Sequence, residues 1–144
     1  ALAPEVAGDI SAKLLTDPEV DTIIGFNLDT LGTAINDGIA SAGTVSPADM
    51  FITGQAGSMQ ALQLLGKGSI SGVVMQSSDY TAWVITDAFV RLQAGGAPAE
   101  YPSVLRLFDS SNISEITVTA ENASGFGWFG EPVFQDVFKA SWRV

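Results

Sequence analysis

The chain has 144 residues, of which 47% are apolar, and a formal net charge of −10 from sixteen acidic and six basic side chains. This length and composition suit one domain or part of one and argue against disorder. The basic residues form no cluster, so we expect no nucleic-acid partner, and the acidic surface disfavours anionic membranes. Cysteine and histidine are both absent, which excludes disulfides, thiolate or imidazole metal ligands, and Ser–His or Cys–His catalysis.

Helical and strand-like patterns alternate along the chain. Val6, Ile10 and Leu14 fall on one face of a helix, whereas the run VDTIIGF that follows is typical of a strand. The alternation predicts an α/β layered sheet. In chain order, we predict helices over 4–16, 30–42, 59–66, 80–94 and 132–142, strands over 20–26, 50–55, 71–76 and 104–108, and a further candidate strand over 115–119.

The stretch from 49 to 76, DMFITGQAGSMQALQLLGKGSISGVVMQ, combines a strand, a helix and a second strand. Ser58 is placed to cap the helix, and Gly66 and Gly68 are placed to end it. The unit is typical of a right-handed βαβ crossover in a parallel sheet. Ligands of such sheets bind outside the carboxyl ends of the strands, which makes Gln55 and Gln76 candidate binding residues.

Three segments together resemble one protein family. They are DPEVDTIIGFNLDTLGTAINDGIASAG (17–43), ITGQAGSMQALQLLGKGSISGVVMQ (52–76) and AFVRLQAGGAPAEYPSVLRLF (88–108). In their order and spacing they are similar to type 1 periplasmic sugar-binding proteins, the solute receptors of bacterial ABC importers. The resemblance extends from residue 1 to about 112 and is weaker in the tail.

The resemblance implies a three-layer, Rossmann-like α/β lobe with a mainly parallel sheet, one lobe of a two-lobed protein that holds ligand between its lobes. Residues 1–76 would belong to the C-terminal lobe, and the helix within 77–102 to an N-terminal lobe that is mostly absent from this chain. Residues 103–112 would return to the C-terminal lobe as a strand, and 113–144 would form a C-terminal tail.

The resemblance also implies an incomplete sheet. In the family's strand order we expect the strand before the first helix to be central, so the strands 20–26 and 50–55 would flank an empty slot. The helix 79–94 would expose an apolar face for the absent lobe. We therefore expect a second polypeptide segment to complete the fold.

Three polar residues match or neighbour ligand-contacting positions of the family. Gln76 matches a hinge glutamine that hydrogen-bonds ligand hydroxyls, since an amide donates and accepts at once; the alternative is that it satisfies local backbone. Asp29 matches an aspartate that contacts ligand or caps the following helix, and we favour the cap. Leu28 occupies the place of the family's ligand-contacting asparagine, so Asn27 is the candidate replacement.

The turn after the second strand departs from the family. Ala56 stands where the family has an aspartate that accepts two sugar hydroxyls, so a hexopyranose is disfavoured relative to a smaller polyol or an atypical sugar. Gln55 is the candidate there for a residue that faces the cleft; the alternative is that it is a solvent-exposed polar residue of the turn. Phe26 and Tyr80 are candidates for stacking on a sugar; the alternative is that they pack under the turn or against the absent lobe. Trp83 is expected in the core.

The tail contains a glycine-aromatic loop, 125–130, that matches G-x-G-x-x-G literally. A dinucleotide site also needs a βαβ unit and an acid about twenty residues further on, which are lacking here. We therefore expect no cofactor. The resemblance implies instead that Trp128 and Trp142 pack the tail onto the lobes.

The sequence thus predicts a solute receptor that captures a sugar or polyol by closure of two lobes and delivers it to ABC permease subunits. The expected location is the periplasm, or the cell exterior with a lipid anchor, and any signal peptide would lie outside this sequence. The alternative is the effector domain of a LacI-type transcription regulator, which has the same fold. An enzyme, a metal site and a catalytic residue are not expected.

Overall fold

The computed structural model describes residues 2–124 and 126–142. Helices and strands alternate through the first three quarters of the chain, and helices alone follow. The helices are α1 (Leu2–Thr16), α2 (Leu28–Ala42), α3 (Met59–Gly66), α4 (Ser78–Gln93), α5 (Ala120–Ser124) and α6 (Phe134–Ser141). The strands are β1 (Thr22–Gly25), β2 (Phe51–Ala56), β3 (Gly72–Gln76) and β4 (Leu105–Asp109), and short 3-10 turns occupy Pro47–Asp49 and Ile113–Glu115.

The strands form one four-stranded sheet in the order β1-β2-β3-β4. The first three are parallel, and β4 runs antiparallel to β3. This is the arrangement expected when helical crossovers join neighbouring parallel strands. The prediction of an α/β fold with a mainly parallel sheet is therefore confirmed.

The expectation of an empty slot between the first two strands is wrong, because β1 and β2 pair directly. Their register runs from Thr22 opposite Phe51 to Gly25 opposite Gly54. At the carboxyl end the two glycines let the backbones approach closely, and a Cβ atom at position 54 would collide with the carbonyl oxygen of Gly25. Successive strands joined by one helix lie side by side here, and the described part of β1 pairs on one side only.

The hydrophobic core lies on one face of the sheet. Alternate strand residues point to that face, including Ile52, Val73 and Phe108, each of which is fully buried. Helices α2 and α3 cover them with Leu28, Ile35, Ile39, Ala61, Leu62 and Leu65. Trp128 of the tail joins the same cluster, so the prediction that this tryptophan packs the tail onto the fold is confirmed.

Local capping sets the helix boundaries that the sequence predicts. The hydroxyl of Ser58 accepts a hydrogen bond from the backbone N–H of Gln60, and that of Ser77 accepts one from Tyr80. Gly43 ends α2 in the left-handed conformation, with φ of 66°. The cap predicted at Ser58 is therefore in place, and the ends of the other helices lie within two residues of those predicted.

The candidate strand over 115–119 is wrong. Its backbone hydrogen-bonds to side chains of the tail and not to a neighbouring strand. The carbonyl of Thr117 accepts hydrogen bonds from Asn122 Nδ2 and from Trp128 Nε1. The short helix α5, which follows directly, was not evident from the sequence.

The opposite face of the sheet is apolar and exposed. The register places side chains of all four strands on it, and Ile24 is 79% exposed. In the part of the chain that the structure describes, the large exposed apolar residues of this open face are Ile24, Phe51, Val74, Leu105 and Leu107. The core thus occupies one side of the sheet, and the other side presents an uncovered apolar surface.

The tail helix α6 packs on α4 through aromatic rings. Trp142 stacks on Trp83 with ring centroids 5.4 Å apart, and Phe138 contacts both. Trp83 was expected in the core, but it is half-buried and packs in this aromatic cluster outside the core beneath the sheet. The remaining apolar face of α4 is exposed, with Ile85, Phe89 and Leu92 more than half accessible.

A buried carboxylate ties this region together. Asp87 of α4 is fully buried and accepts hydrogen bonds from Arg91 Nε (2.6 Å), the Tyr101 hydroxyl (2.9 Å) and Trp142 Nε1 (2.8 Å). Desolvation alone would raise the pKa of Asp87, but the hydrogen bonds from Arg91, Trp142 and Tyr101 outweigh it and hold the pKa below the usual aspartate value. The ionised form therefore joins α4, the segment before β4 and the tail.

We expect Asp87→Asn to lower the free energy of unfolding at pH 7 by about 1–3 kcal/mol, because the buried donors lose an ionised acceptor. Because the pKa of Asp87 is lower in the folded state, its ionised form stabilises the fold fully above the unfolded-state pKa of about 3.9. This stabilisation is lost as the pH falls through the folded-state pKa. The difference between wild type and Asp87→Asn should therefore shrink below about pH 4. Urea unfolding at a series of pH values measures it.

Glu100→Gln is the matched control, because Glu100 is an exposed carboxylate beside the same segment. A difference for Asp87→Asn that stays constant from pH 7 to pH 3 would contradict an ionised, stabilising Asp87.

Candidate functional site

A cleft of about 440 Å³ lies at the carboxyl ends of β1, β2 and β3, beneath the first turns of α4. Among the described residues, its wall mixes amides, hydroxyls and apolar side chains. The residues that line it are Phe26, Asn27, Asp29, Gln55, Ala56, Gly57, Gln76, Ser78, Thr81, Ala82 and Ile85. All of the predicted site residues except Tyr80 are brought together here.

The turn after β1 presents two of them. Phe26 is 79% exposed, and Asn27 follows with φ of 61° and ψ of 63°, a left-handed conformation that Asn tolerates better than most residues. The carbonyl of Asn27 accepts the first backbone hydrogen bonds of α2, whereas its side chain makes no cap. Leu28, next in the chain, is fully buried. The amide of Asn27 therefore stands at the cleft with its side-chain groups available, and its ligand role remains a prediction.

Asp29 fixes the neighbouring turn instead of capping its own helix. Its carboxylate accepts hydrogen bonds from the backbone N–H groups of Gly57 (2.7 Å) and Ser58 (3.1 Å) and from the Ser58 hydroxyl (2.5 Å). The expectation that it caps α2 is therefore wrong. Because the bonds join the turn after β1 to the turn after β2, Asp29 sets the spacing of two sides of the cleft.

Two glutamines mark the ends of the next strands. Gln55 of β2 is exposed and lies opposite Val74 in the register. Gln76 ends β3, and its Nε2 donates to the Thr81 hydroxyl at 3.3 Å, which in turn donates to the carbonyl of Ser77. This chain of hydrogen bonds orients the Gln76 amide and leaves its carbonyl oxygen free to accept.

Helix α4 forms the remaining wall. Ser78, Thr81, Ala82 and Ile85 follow helical spacing, so one face of α4 lies along the cleft. Sequence reasoning missed these residues. The available signal was the i, i+3, i+4, i+7 series that begins directly after Gln76.

Tyr80 lies on another face of α4, against the tail. Its ring packs edge-on to Phe134 at 5.2 Å and also contacts Phe138 at 6.2 Å. It borders a smaller hollow of about 70 Å³ shared with Gln76, Thr81 and Tyr101. Tyr80 does not line the main cleft, and its contact with ligand stays a prediction.

The cleft continues onto the open face of the sheet. A second hollow of about 660 Å³ shares Phe26, Gln55 and Gln76 with it and extends towards Ile24 and Leu105. The three shared residues therefore lie at the junction of the polar cleft and the apolar face.

The electrostatics of the lining are simple. Asp29 is the one ionisable side chain among the described lining residues, and its carboxylate is already hydrogen-bonded. Within residues 2–124 and 126–142, no group of three His, Cys, Asp or Glu side chains is arranged to hold a metal ion. The helices in that part of the chain are all too short or too polar to cross a bilayer.

Neither protein-family models nor curated proteins gave a match to this chain. Among solved structures, the chain is similar to a 5-methylthioribose transporter solute-binding protein from Thermotoga lettingae, in complex with 5-methylthioribose, at 15% identity and a TM-score of 0.70. That alignment covers 97% of this chain and 44% of the other. A protein from Mycobacterium smegmatis aligns at 19% identity and a TM-score of 0.59, over 76% of this chain and 37% of its own.

The chain thus spans less than half the length of the solved structures it resembles, 44% and 37%. At these identities the similarity establishes the fold alone. The four-stranded, mainly parallel sheet with its helices is similar to part of the Thermotoga lettingae structure.

Proposed function

We propose that this chain is part of a solute-binding protein that captures a sugar or polyol for a bacterial ABC importer. One observation carries the proposal: amide side chains from three separate elements, Asn27, Gln55 and Gln76, converge with the exposed ring of Phe26 on a single cleft. That convergence occurs where α/β sheets bind ligands, outside the carboxyl ends of parallel strands.

The chemistry of the lining suits a hydroxylated ligand. A sugar hydroxyl both donates and accepts a hydrogen bond, and so does a primary amide. An exposed aromatic ring offers a surface for the C–H face of a sugar. Ala56 lines the cleft at the position where the family it resembles has an aspartate that accepts two sugar hydroxyls. Without that carboxylate, the cleft favours a shorter polyol or an atypical sugar over an ordinary aldohexose.

Closure between two lobes would complete the site. In this proposal α4 belongs to a second lobe, most of which another segment supplies, and the cleft beneath α4 narrows when the lobes meet around ligand. The closed form would then dock on the membrane permease subunits, in the periplasm or at the outer surface through a lipid anchor.

Binding without turnover fits the same geometry. The single carboxylate in the described lining, Asp29, is engaged with Gly57 and Ser58, and no second acid lies beside it there. Paired titratable groups of the kind that general acid–base catalysis uses are therefore not assembled on this wall.

We expect Gln76→Ala, in the full-length protein, to weaken sugar or polyol binding by about 1–3 kcal/mol, because a buried polar contact is lost. The affinity is measured by isothermal titration calorimetry. Gln63→Ala removes the same group from an exposed position on α3, away from the cleft, and should bind as wild type does. Equal affinity of wild type and Gln76→Ala would contradict the assignment of the site.

The open face of the sheet supports the proposal that another segment of the same protein packs on this chain. Five apolar side chains from four strands form a surface of the kind that monomeric proteins normally cover: Ile24, Phe51, Val74, Leu105 and Leu107. The described β1 has an unpaired edge next to it. A further segment of the same protein that packs on this face and edge would account for both.

We expect Leu107→Thr to have opposite effects in the two contexts. In the full-length protein it should lower the free energy of unfolding by about 2–4 kcal/mol, because a covered leucine loses apolar contacts. In residues 1–144 expressed alone it should reduce aggregation and dye binding to exposed apolar surface. Chemical unfolding and fluorescence measure the two effects.

Leu15→Thr is the matched control, since Leu15 is exposed on α1, which packs against α2. An unchanged unfolding free energy for full-length Leu107→Thr would mean that nothing covers this face.

A further inference from the structure

We infer that the solute of this cleft is uncharged and carries an apolar substituent at the end remote from its hydroxyl groups. The inference rests on the proposed function and narrows its ligand class. It comes from the charge of the lining and from the change of polarity along the wall that α4 provides.

The lining offers no partner to an anionic ligand. No lysine or arginine is among the described residues of the cleft, and its one carboxylate would repel a phosphate or carboxylate group. A cationic ligand would meet only the Asp29 carboxylate, most of whose acceptor sites are occupied by the three hydrogen bonds from Gly57 and Ser58. A neutral molecule enters this cleft without leaving a charge desolvated and unpaired.

The polar groups with spare capacity lie around the strand ends and the start of α4. Asn27 and Gln55 make no side-chain hydrogen bond within the described chain, and the Gln76 oxygen is free. Ser78 adds a hydroxyl from the first turn of α4, whereas the Thr81 hydroxyl already donates to Ser77 and accepts from Gln76. This end of the cleft suits vicinal hydroxyls.

The polarity then changes along the helix. Ala82 and Ile85 follow the two hydroxyl residues on the same face, and Ile85 is 52% exposed. Ile85 lies seven residues beyond Ser78, about 10 Å along the axis. The exposed ring of Phe26 lies beside Asn27, at the polar end of the cleft, where it offers a surface for the C–H face of a sugar. A ligand that follows α4 from Ser78 to Ile85 is longer than one pentose ring and meets apolar surface at its far end.

A deoxy sugar or polyol with an alkyl or alkylthio group at its terminal carbon has this distribution of groups. Its hydroxyls would pair with the amides, and its substituent would cover Ile85. Each buried methylene contributes enough hydrophobic free energy to change affinity about fourfold.

The test uses the full-length protein and matched ligand pairs. D-ribose, D-xylose and xylitol are each compared by calorimetry with the derivative in which an ethylthio group replaces the terminal hydroxyl, and with the terminal phosphate. For the best-binding pair, we expect the ethylthio derivative to bind at least tenfold more tightly than its parent. The phosphate should bind more weakly than the parent.

A variant pair tests whether the wall of α4 is responsible. Ile85→Ser should reduce the preference for the ethylthio derivative at least threefold. Leu92→Ser, at an exposed apolar position of α4 outside the cleft, should leave the preference as in wild type.

Each outcome decides the inference. A parent that binds as tightly as its ethylthio derivative, or a phosphate that binds best, overturns the inference and leaves the proposed function standing. If no sugar, polyol or derivative binds, both the inference and the proposed function are wrong. A preference that Ile85→Ser does not change also overturns it.

Discussion

The hydrogen bonds between Asp29 and the turn after β2 are the interaction on which the candidate site depends. They join residues that are 28 and 29 positions apart in sequence, with donors from Gly57 and Ser58. One carboxylate thereby fixes the turn that carries Asn27 against the turn that follows Gln55. Because Ser58 also caps α3, the same contact sets where that helix begins. The site is a product of this junction, since each strand end alone would present a single isolated amide.

The sheet itself is built asymmetrically. Its residues alternate between a face buried under α2 and α3 and a face that is apolar and open. Strands of this kind, apolar on both faces, are characteristic of sheets with helices on both sides. Gln55 and Gln76 interrupt the open face at its carboxyl end, so polar and apolar surface meet where the cleft begins. The positions of these glutamines separate the part of the face suited to packing from the part suited to binding.

Local patterns in the sequence were enough to predict much of this fold. Ser58 and Ser77 mark helix starts through their own hydroxyls, and the βαβ rule places Gln55 and Gln76 at one edge. Long-range pairings were not predictable in the same way. The partner of Asp29 lies in another turn, so the sequence favoured the local cap over the distant bond. The segment 115–119 alternates like a strand, but the Thr117 carbonyl is used by the side chains of Asn122 and Trp128, five and eleven residues further on.

The direct pairing of β1 with β2 shows a third limit. The resemblance implied a missing strand between β1 and β2. The structure pairs these two strands directly, so the resemblance did not predict their neighbours in the sheet. Gly25 and Gly54 face each other across the pair, and a side chain at either position would meet neighbouring atoms. Gly54 therefore permits the close approach of β2 to β1, whereas the nearest neighbour of Gly25 is the Leu28 side chain.

The tail adds a constraint that reaches the cleft from outside it. Helix α4 contributes Ser78, Thr81 and Ile85 to the lining, yet its only fully buried residue is Asp87. Its orientation is consequently fixed by the contacts of Asp87 with Tyr101 and Trp142 and by the stacking of Trp142 on Trp83. A rotation of α4 about its axis would exchange the hydroxyl and apolar groups that face the cleft for others on the helix. Residues of the tail that do not line the cleft thus decide which side chains of α4 face it.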